Sequence, residues 1–286
     1  MTAGLAEVAW DPVPLPAPGS VPPPAGALHL WRFARHPDET AVGELRSVLT
    51  AEERALADRL VRPGHGDAAA VARGTLRHVL AGYRGGAASA VPLTPGRRGK
   101  PRLDDDTAVT FNLSHSGCWA LLAVAARGDV GTDIEVMRPG RDLLGIAGSF
   151  FTVTERARLG AVPAPELPAA FYHCWVRKEA YMKLRGDGLA LPTGSFEVTL
   201  PPQPAALRRG ATPGDEGRLT WLGFEPAPGY AAAVVTGEPV ASVTAHTITG
   251  ADRCTHLPGH PAQPASGSLP MPAEAMLGGG RYGRAR

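Results

Sequence analysis

Four short stretches carry residue types whose spacing could do chemistry. In GTDIE (131–135), Asp133 and Glu135 stand two apart. In a strand both carboxylates would share one face, with Ile134 pointing into the core. Adjacent carboxylates repel unless something positive holds them. A hard, oxygen-loving cation such as Mg²⁺ would do so, and so would an arginine salt-bridged to a polar strand face. In FYHCWVRKEAYMKLRGDGL (171–189), Trp175, Glu179 and Lys183 recur at four-residue spacing, so a helix would stack them along one flank. Glu179 and Lys183 then read in two ways. They are either an ordinary surface pair beside a core Trp175, or a third carboxylate at the cation with a lysine reaching a phosphate.

FNLSHSG (111–117) follows a strand pattern and turns at Gly117. Ser114, His115 and Ser116 could offer several hydrogen-bond donors to a phosphate, although a lone histidine is also a common structural residue. A Ser-His-Asp hydrolase would need a G-x-S-x-G elbow, which the sequence lacks. GRRGKPRL (96–103) clusters Arg97, Arg98, Lys100 and Arg102, and Arg73 and Arg77 stand one helical turn apart upstream. Such runs read as solvated surface, or as a converging patch for a phosphate-rich ligand.

The elements that must position these residues are legible in outline. LHLWRF (28–33) reads as a strand. Thr50 with Glu53 is a T-x-x-E capping box opening a helix to about Arg62, and Asp67 could cap a second helix with Leu76, Val79, Leu80 and Tyr83 as its apolar stripe. Strands are expected at 107–113, 118–126 and 129–136, with ARGD (126–129) suited to a hairpin turn. Thr152 and Glu155 repeat the capping box, a longer helix covers about 168–185, and strands follow at 195–200, 218–224 and 230–236. The expected fold is α+β, with two duplicated lobes related by a pseudo-twofold. Each lobe would run strand-helix-helix-strand-strand, with an active-site cleft between them.

Around that body, residues 1–27 form a leader whose stretch 11–24 holds seven prolines. Residues 246–286 read as a disordered tail of low apolar content. The lobes span 28–128 and 129–245. The net charge is +2, and four arginines against Asp252 and Glu274 place that excess in 246–286. A formally neutral body advertises neither a nucleic-acid nor a membrane binder. No run of about 18 apolar residues offers a membrane span, and no signal peptide is evident, so cytoplasm is the default. Cys118, Cys174 and Cys254 lack metal-type spacing, and the first two sit in apolar runs as reduced core thiols would.

Taken together and in order, R-G-K-P, N-L-S-H-S-G, G-x-D-I-E and W-x-x-K-E-A-x-x-K-x-x-G-x-G-L resemble the 4′-phosphopantetheinyl transferases of the surfactin-synthetase-activating type, over about Leu49 to Leu191. The resemblance implies a monomer that moves the phosphopantetheine arm of coenzyme A onto a serine of an apo acyl or peptidyl carrier protein, releasing 3′,5′-ADP. It implies Mg²⁺ on Asp133, Glu135 and Glu179, and Lys183 and Lys178 on the coenzyme A pyrophosphate. Ser114 and His115 would touch the phosphates, with Lys100 and Arg73 near the adenosine end. Glu179, Lys183 and His115 are the expected catalytic residues, with Glu179 the candidate base, directly or through a water. Two departures stand out: Ser149 precedes FFTVTE where the family often has a basic residue, and EERALADRLVRPG offers arginines but no lysine. Two other classes stay open: a metal-dependent phosphodiesterase or nuclease, and a non-catalytic coenzyme A or carrier-protein binding module.

Overall fold

The computed structural model describes residues 5–15, 20–96, 99–104, 109–138 and 140–249. The tail from 250 onward with Cys254, and Arg97 and Arg98 of the basic loop, lie outside the described residues. The fold is mixed α+β. Its elements are β1 (Asp11–Val13), β2 (Ala27–Ala34), α1 (Glu39–Ser47), α2 (Ala51–Asp58), α3 (His65–Arg84), β3 (Leu93–Pro95), β4 (Pro101–Leu103), β5 (Thr110–Ser116), β6 (Trp119–Ala125) and β7 (Val130–Val136). There follow α4 (Leu143–Phe150), α5 (Val153–Gly160), α6 (Leu167–Arg185), β8 (Glu197–Val198), β9 (Leu207–Arg209), β10 (Thr220–Phe224), β11 (Tyr230–Thr236) and β12 (Ser242–Ile248). No helix among the described residues is long and apolar enough to cross a membrane.

One sheet has the order β1-β12-β2-β6-β5 and another β10-β11-β7. Alternation along the strands builds a layered core. In β6, Ala120, Leu122 and Val124 pack with Leu76, Val79 and Leu80 of α3, while Leu121 and Ala123 pack with Ile134 and Val136 of β7. In β11, Ala231, Ala233 and Val235 join the α6 cluster, and Ala232 and Val234 turn to the other sheet. The two sheets thus share one apolar interior, with α3 and α6 covering their outer faces.

Several expectations are revised. Residues 126–129 do not close a hairpin: β6 is already paired with β2 on one edge and β5 on the other, so β7 starts a second sheet against β11. Asp67 is not the cap of α3; the cap is Gly64 at φ 75°, and Asp67 lies in the first turn, where its charge favours the helix N-terminus. Helices α1 and α4 have no counterpart in the sequence reading. With them, the order β-α-α-α-β-β runs from β2 to β6 and again from β7 to β11, with small strands interposed. Part of the proline-rich leader is ordered: β1 pairs in parallel with β12, and β12 runs past residue 245 to insert between β1 and β2. Cys118 and Cys174 are buried and outside any disulfide, as read.

Both capping boxes form, and each glutamate does a second job. Glu53 receives Arg77 of α3 through both carboxylate oxygens, at 2.8 and 3.0 Å. Glu155 receives Lys178 of α6 through both oxygens at 2.8 Å. Each box thereby ties its short helix to the long helix that follows.

Candidate active site

Helix α6 can lie on β7 because Gly131 has no side chain: a Cβ there would meet the carbonyl oxygen of Ala180 at 2.0 Å and the amide of Leu184 at 2.4 Å. Two and four residues on, Asp133 and Glu135 project on the Gly131 side of β7, while Ile134 sinks into the interior. The last turn of α6 carries Lys183. Its ammonium donates to Asp133 Oδ1 and to Ser114 Oγ, both at 2.8 Å.

FNLSHSG forms β5 and the seam between the sheets. Asn112 Oδ1 accepts the Thr132 N–H at 2.7 Å, and Ser116 Oγ accepts the Val136 N–H at 3.2 Å. Side chains of one edge strand thus satisfy the backbone of another, in place of a strand ladder. Ser114 Oγ donates to Asp133 Oδ1 at 2.8 Å, and Ser116 Oγ to Glu135 Oε2 at 2.6 Å. Gly117 closes the motif at φ 53°, with the Tyr230 hydroxyl where a Cβ would go; that hydroxyl accepts the Cys118 N–H at 3.1 Å.

Asp133 is 4 % exposed, and its Oδ2 is buried without a hydrogen-bond partner. Loss of solvation, then the Asp133 charge, push the Glu135 carboxyl up to about 7, against the opposing pulls of Ser116, Lys183 and Arg138. Burial, with Arg35 and Lys183 nearby, holds the His115 imidazole well below the ordinary histidine value, so it is neutral near pH 7. Arg35 also donates to the Gly117 carbonyl at 3.2 Å. Glu179 is 6 % exposed, one turn before Lys183 on α6. Among the described residues no group of three His, Cys, Asp or Glu side chains is gathered closely enough to form a ready-made metal site. The orphaned Asp133 oxygen and the crowded Glu135 still fit a cation, since a positive ligand would relieve both.

The remaining expected residues separate. Lys100 donates to the backbone carbonyls of Val130 and Lys183 at 2.8 and 2.9 Å, and lines a cleft of about 430 Å³ with Arg102, Phe111 and Arg185. Arg73 turns toward Glu53 of α2, its Nε 3.5 Å from Oε1. Lys178 is not at the cleft. It is 1 % exposed, and besides Glu155 it donates to the Phe196 carbonyl at 2.9 Å; burial lowers its pKa while Glu155 opposes that shift. Five helical steps of about 100° place Lys178 roughly 140° around α6 from Lys183, so the two cannot both face one ligand from this helix. The seam roles of Asn112 and Ser116, and the closeness of Arg35 to His115, were missed. The N-x-S-x-S alternation at 112, 114 and 116 was the available signal for the first two.

Comparison with known proteins points to one family. Residues 129–235, which hold β7 and α6, match the 4′-phosphopantetheinyl transferase superfamily. The chain is 36% identical over 198 residues to the 4′-phosphopantetheinyl transferase HetI of Nostoc sp., spanning 68% of this chain and 83% of that protein. It is 42% identical over 102 residues to the 4′-phosphopantetheinyl transferase Sfp of Bacillus subtilis, spanning 36% of this chain and 44% of Sfp. It is also 42% identical over 106 residues to the 4′-phosphopantetheinyl transferase AcpT of Salmonella typhi, 37% of this chain and 55% of AcpT. The family model and these relatives are those of an enzyme, a transferase. The chain belongs to the 4′-phosphopantetheinyl transferase superfamily.

Proposed function

We propose that this enzyme is of the surfactin-synthetase-activating type. It moves 4′-phosphopantetheine from coenzyme A to a serine of an apo acyl or peptidyl carrier protein and releases 3′,5′-ADP, with Mg²⁺ held by Asp133, Glu135 and Glu179. One observation carries the reading: Asp133 has one oxygen tied to Lys183 and Ser114, and the other buried with no hydrogen-bond partner. A buried carboxylate oxygen without a donor is costly, and a divalent cation with a phosphate oxygen beyond it supplies what is missing.

The chain's own residues then have distinct tasks. The serine oxygen attacks the β-phosphorus, the bridging bond to the α-phosphate breaks, and Glu179 takes the serine proton. Lys183, held by Ser114 and Asp133, faces the pyrophosphate, and neutral His115 donates one N–H to a phosphate oxygen. Bound magnesium would supply neutralisation of the charge that grows on the leaving phosphate. Lys100 lies beside the cleft that suits the adenosine end. Residues 28–128 and 129–245 read as duplicated lobes; the repeated element order and the Glu53–Arg77 and Glu155–Lys178 pairs support this.

The test is direct. Full chain, coenzyme A and Mg²⁺ are incubated with a panel of apo carriers, and carrier mass is measured. A gain of one phosphopantetheine, lost with EDTA and with Asp133→Ala, is expected. No gain on any carrier, or a gain that Asp133→Ala leaves intact, overturns the reading.

A further inference from the structure

We propose that Ser116 is a positioning residue for Glu135: its hydroxyl fixes the rotamer in which that carboxylate meets the metal. This rests on the reading of Asp133, Glu135 and Glu179 as the magnesium ligands. By type and place Ser116 is one more donor to a phosphate, but its geometry gives it other work. A serine hydroxyl has one proton. Ser116 Oγ accepts the Val136 N–H at 3.2 Å, which leaves that proton for Glu135 Oε2 at 2.6 Å. The amide belongs to a strand that is hydrogen-bonded along its length to β11, so the donor that orients the hydroxyl cannot wander.

Ser114 repeats the arrangement two residues earlier, accepting from Lys183 and donating to Asp133. The two carboxylates do not need their serines equally. Asp133 has two side-chain torsions and a second tether, the Lys183 ammonium on the same oxygen. Glu135 has three torsions, so ordering it costs more and depends more on an anchor. Partners that orient a ligand without touching the metal are commonly worth 10- to 100-fold in affinity. The seam function of Ser116 must be separated from this one. Asn112 provides the control, since it accepts the Thr132 N–H across the same seam and, among the described residues, its side chain bonds no carboxylate.

The experiment is a Mn²⁺ titration of the full chain with coenzyme A, followed by the electron paramagnetic resonance of free Mn²⁺, well below every variant's thermal midpoint. Ser116→Ala should weaken Mn²⁺ binding about tenfold, and Ser116→Thr, which keeps the hydroxyl, should stay within about twofold of wild type. Asn112→Ala should weaken binding clearly less than Ser116→Ala. Wild-type affinity in Ser116→Ala overturns the proposal, as does equal weakening by Asn112→Ala, which would mean a seam effect only. Asp133→Ala keeps the two readings apart. If it loses Mn²⁺ while Ser116→Ala does not, only the Ser116 assignment falls; if it binds like wild type, the metal reading falls with it. Should Ser116→Ala fail to fold, Ser116→Cys, nearly the same size but a weak donor, carries the same comparison.

Discussion

Lys183 Nζ lies 2.8 Å from Asp133 Oδ1, and both side chains are almost fully withdrawn from solvent. That ion pair spans α6 and β7 and draws Ser114 of β5 into the same contact. The lysine therefore stands beside the carboxylate proposed to meet the metal, as the cation already present. Replacing it strands a buried charge.

Lys183→Met should accordingly lower the thermal midpoint in EDTA, and added Mg²⁺ should recover more of it than in wild type, because the metal replaces the missing charge. Turnover should fall about 10- to 100-fold, the usual worth of one charge-assisted contact. Melting with and without Mg²⁺, beside kcat and KM for coenzyme A, checks both halves. A mutant indifferent to Mg²⁺ contradicts the arrangement.

Lys178 should behave in the opposite way. It sits in the α6 core with Glu155 and over the Phe196 ring at 4.3 Å. Lys178→Met leaves Glu155 charged and buried, which should cost about 3–5 kcal/mol in denaturant unfolding, while Lys178→Met with Glu155→Gln should cost much less. At a temperature where the single mutant is folded, its KM for coenzyme A should stay within about twofold of wild type. A large KM effect would return Lys178 to the cleft.

Trp10 shows that part of the proline-rich leader is structural. It stacks on the Arg32 guanidinium at 4.6 Å, with Trp119 on another side at 5.0 Å, and contacts Phe224 at 6.1 Å. Trp10→Ala should destabilise the protein by about 1–2 kcal/mol, and deletion of residues 1–14, which also removes β1, by more. Urea unfolding measures this. A deletion as stable as the full chain would show that the β1–β12 pairing contributes nothing.

Acid should loosen the same edge of the sheet. Trp31 Nε1 donates to the Tyr83 hydroxyl at 2.8 Å, and that hydroxyl pairs with His29 Nδ1 at 2.9 Å. His246 of β12 meets His29 edge-on at 6.1 Å, and burial together with His246 lowers the His29 pKa to about 4. The unfolded chain, at the ordinary 6.5, therefore binds the proton first. Stability tied to neutral His29 is complete above about pH 6.5 and is lost as pH falls toward 4. The thermal midpoint should drop between pH 7 and 5, and drop less in His29→Gln. Parallel curves for the two proteins would remove His29 from the account.

What could be read from the sequence divides along physical lines. The capping boxes at Thr50 and Thr152 and the alternation of Asp133 and Glu135 are local, and each appears in the fold where the residues placed it. The hairpin at 126–129 failed because the pairing of β6 is decided by β2 and β5, far away in sequence. Helix α1 buries only Leu45, too little for a stripe, and α4 is apolar nearly all round. The partner of Lys178 was hidden because one glutamate serves both cap and ion pair. Which of two nearby lysines faces the site depends on helix phase against β7, fixed by the contact at Gly131.

Glu179 is the residue on which the proposed chemistry turns, and two substitutions separate its roles. It comes from α6, one turn before Lys183, whereas Asp133 and Glu135 come from β7. In the proposed site, the carboxylate on the covering helix would serve both the metal and the incoming serine hydroxyl, and the strand carboxylates would hold the metal alone. Glu179→Gln keeps size and one carbonyl oxygen but cannot accept a proton. It should bind coenzyme A nearly as wild type while kcat falls about 10²–10⁴, the range for losing a general base. Glu179→Asp keeps the charge on a shorter arm and should recover part of kcat. Asp133→Asn should instead lose Mg²⁺ affinity, with its kcat loss eased by excess metal. A pH–rate profile at saturating Mg²⁺ and coenzyme A completes the comparison, because the acidic limb of the wild-type curve should vanish in Glu179→Gln. Near-normal kcat in that mutant would exclude Glu179 as base and as essential ligand. Joint loss of coenzyme A and Mg²⁺ binding would make it a ligand alone, leaving the serine proton to a water molecule.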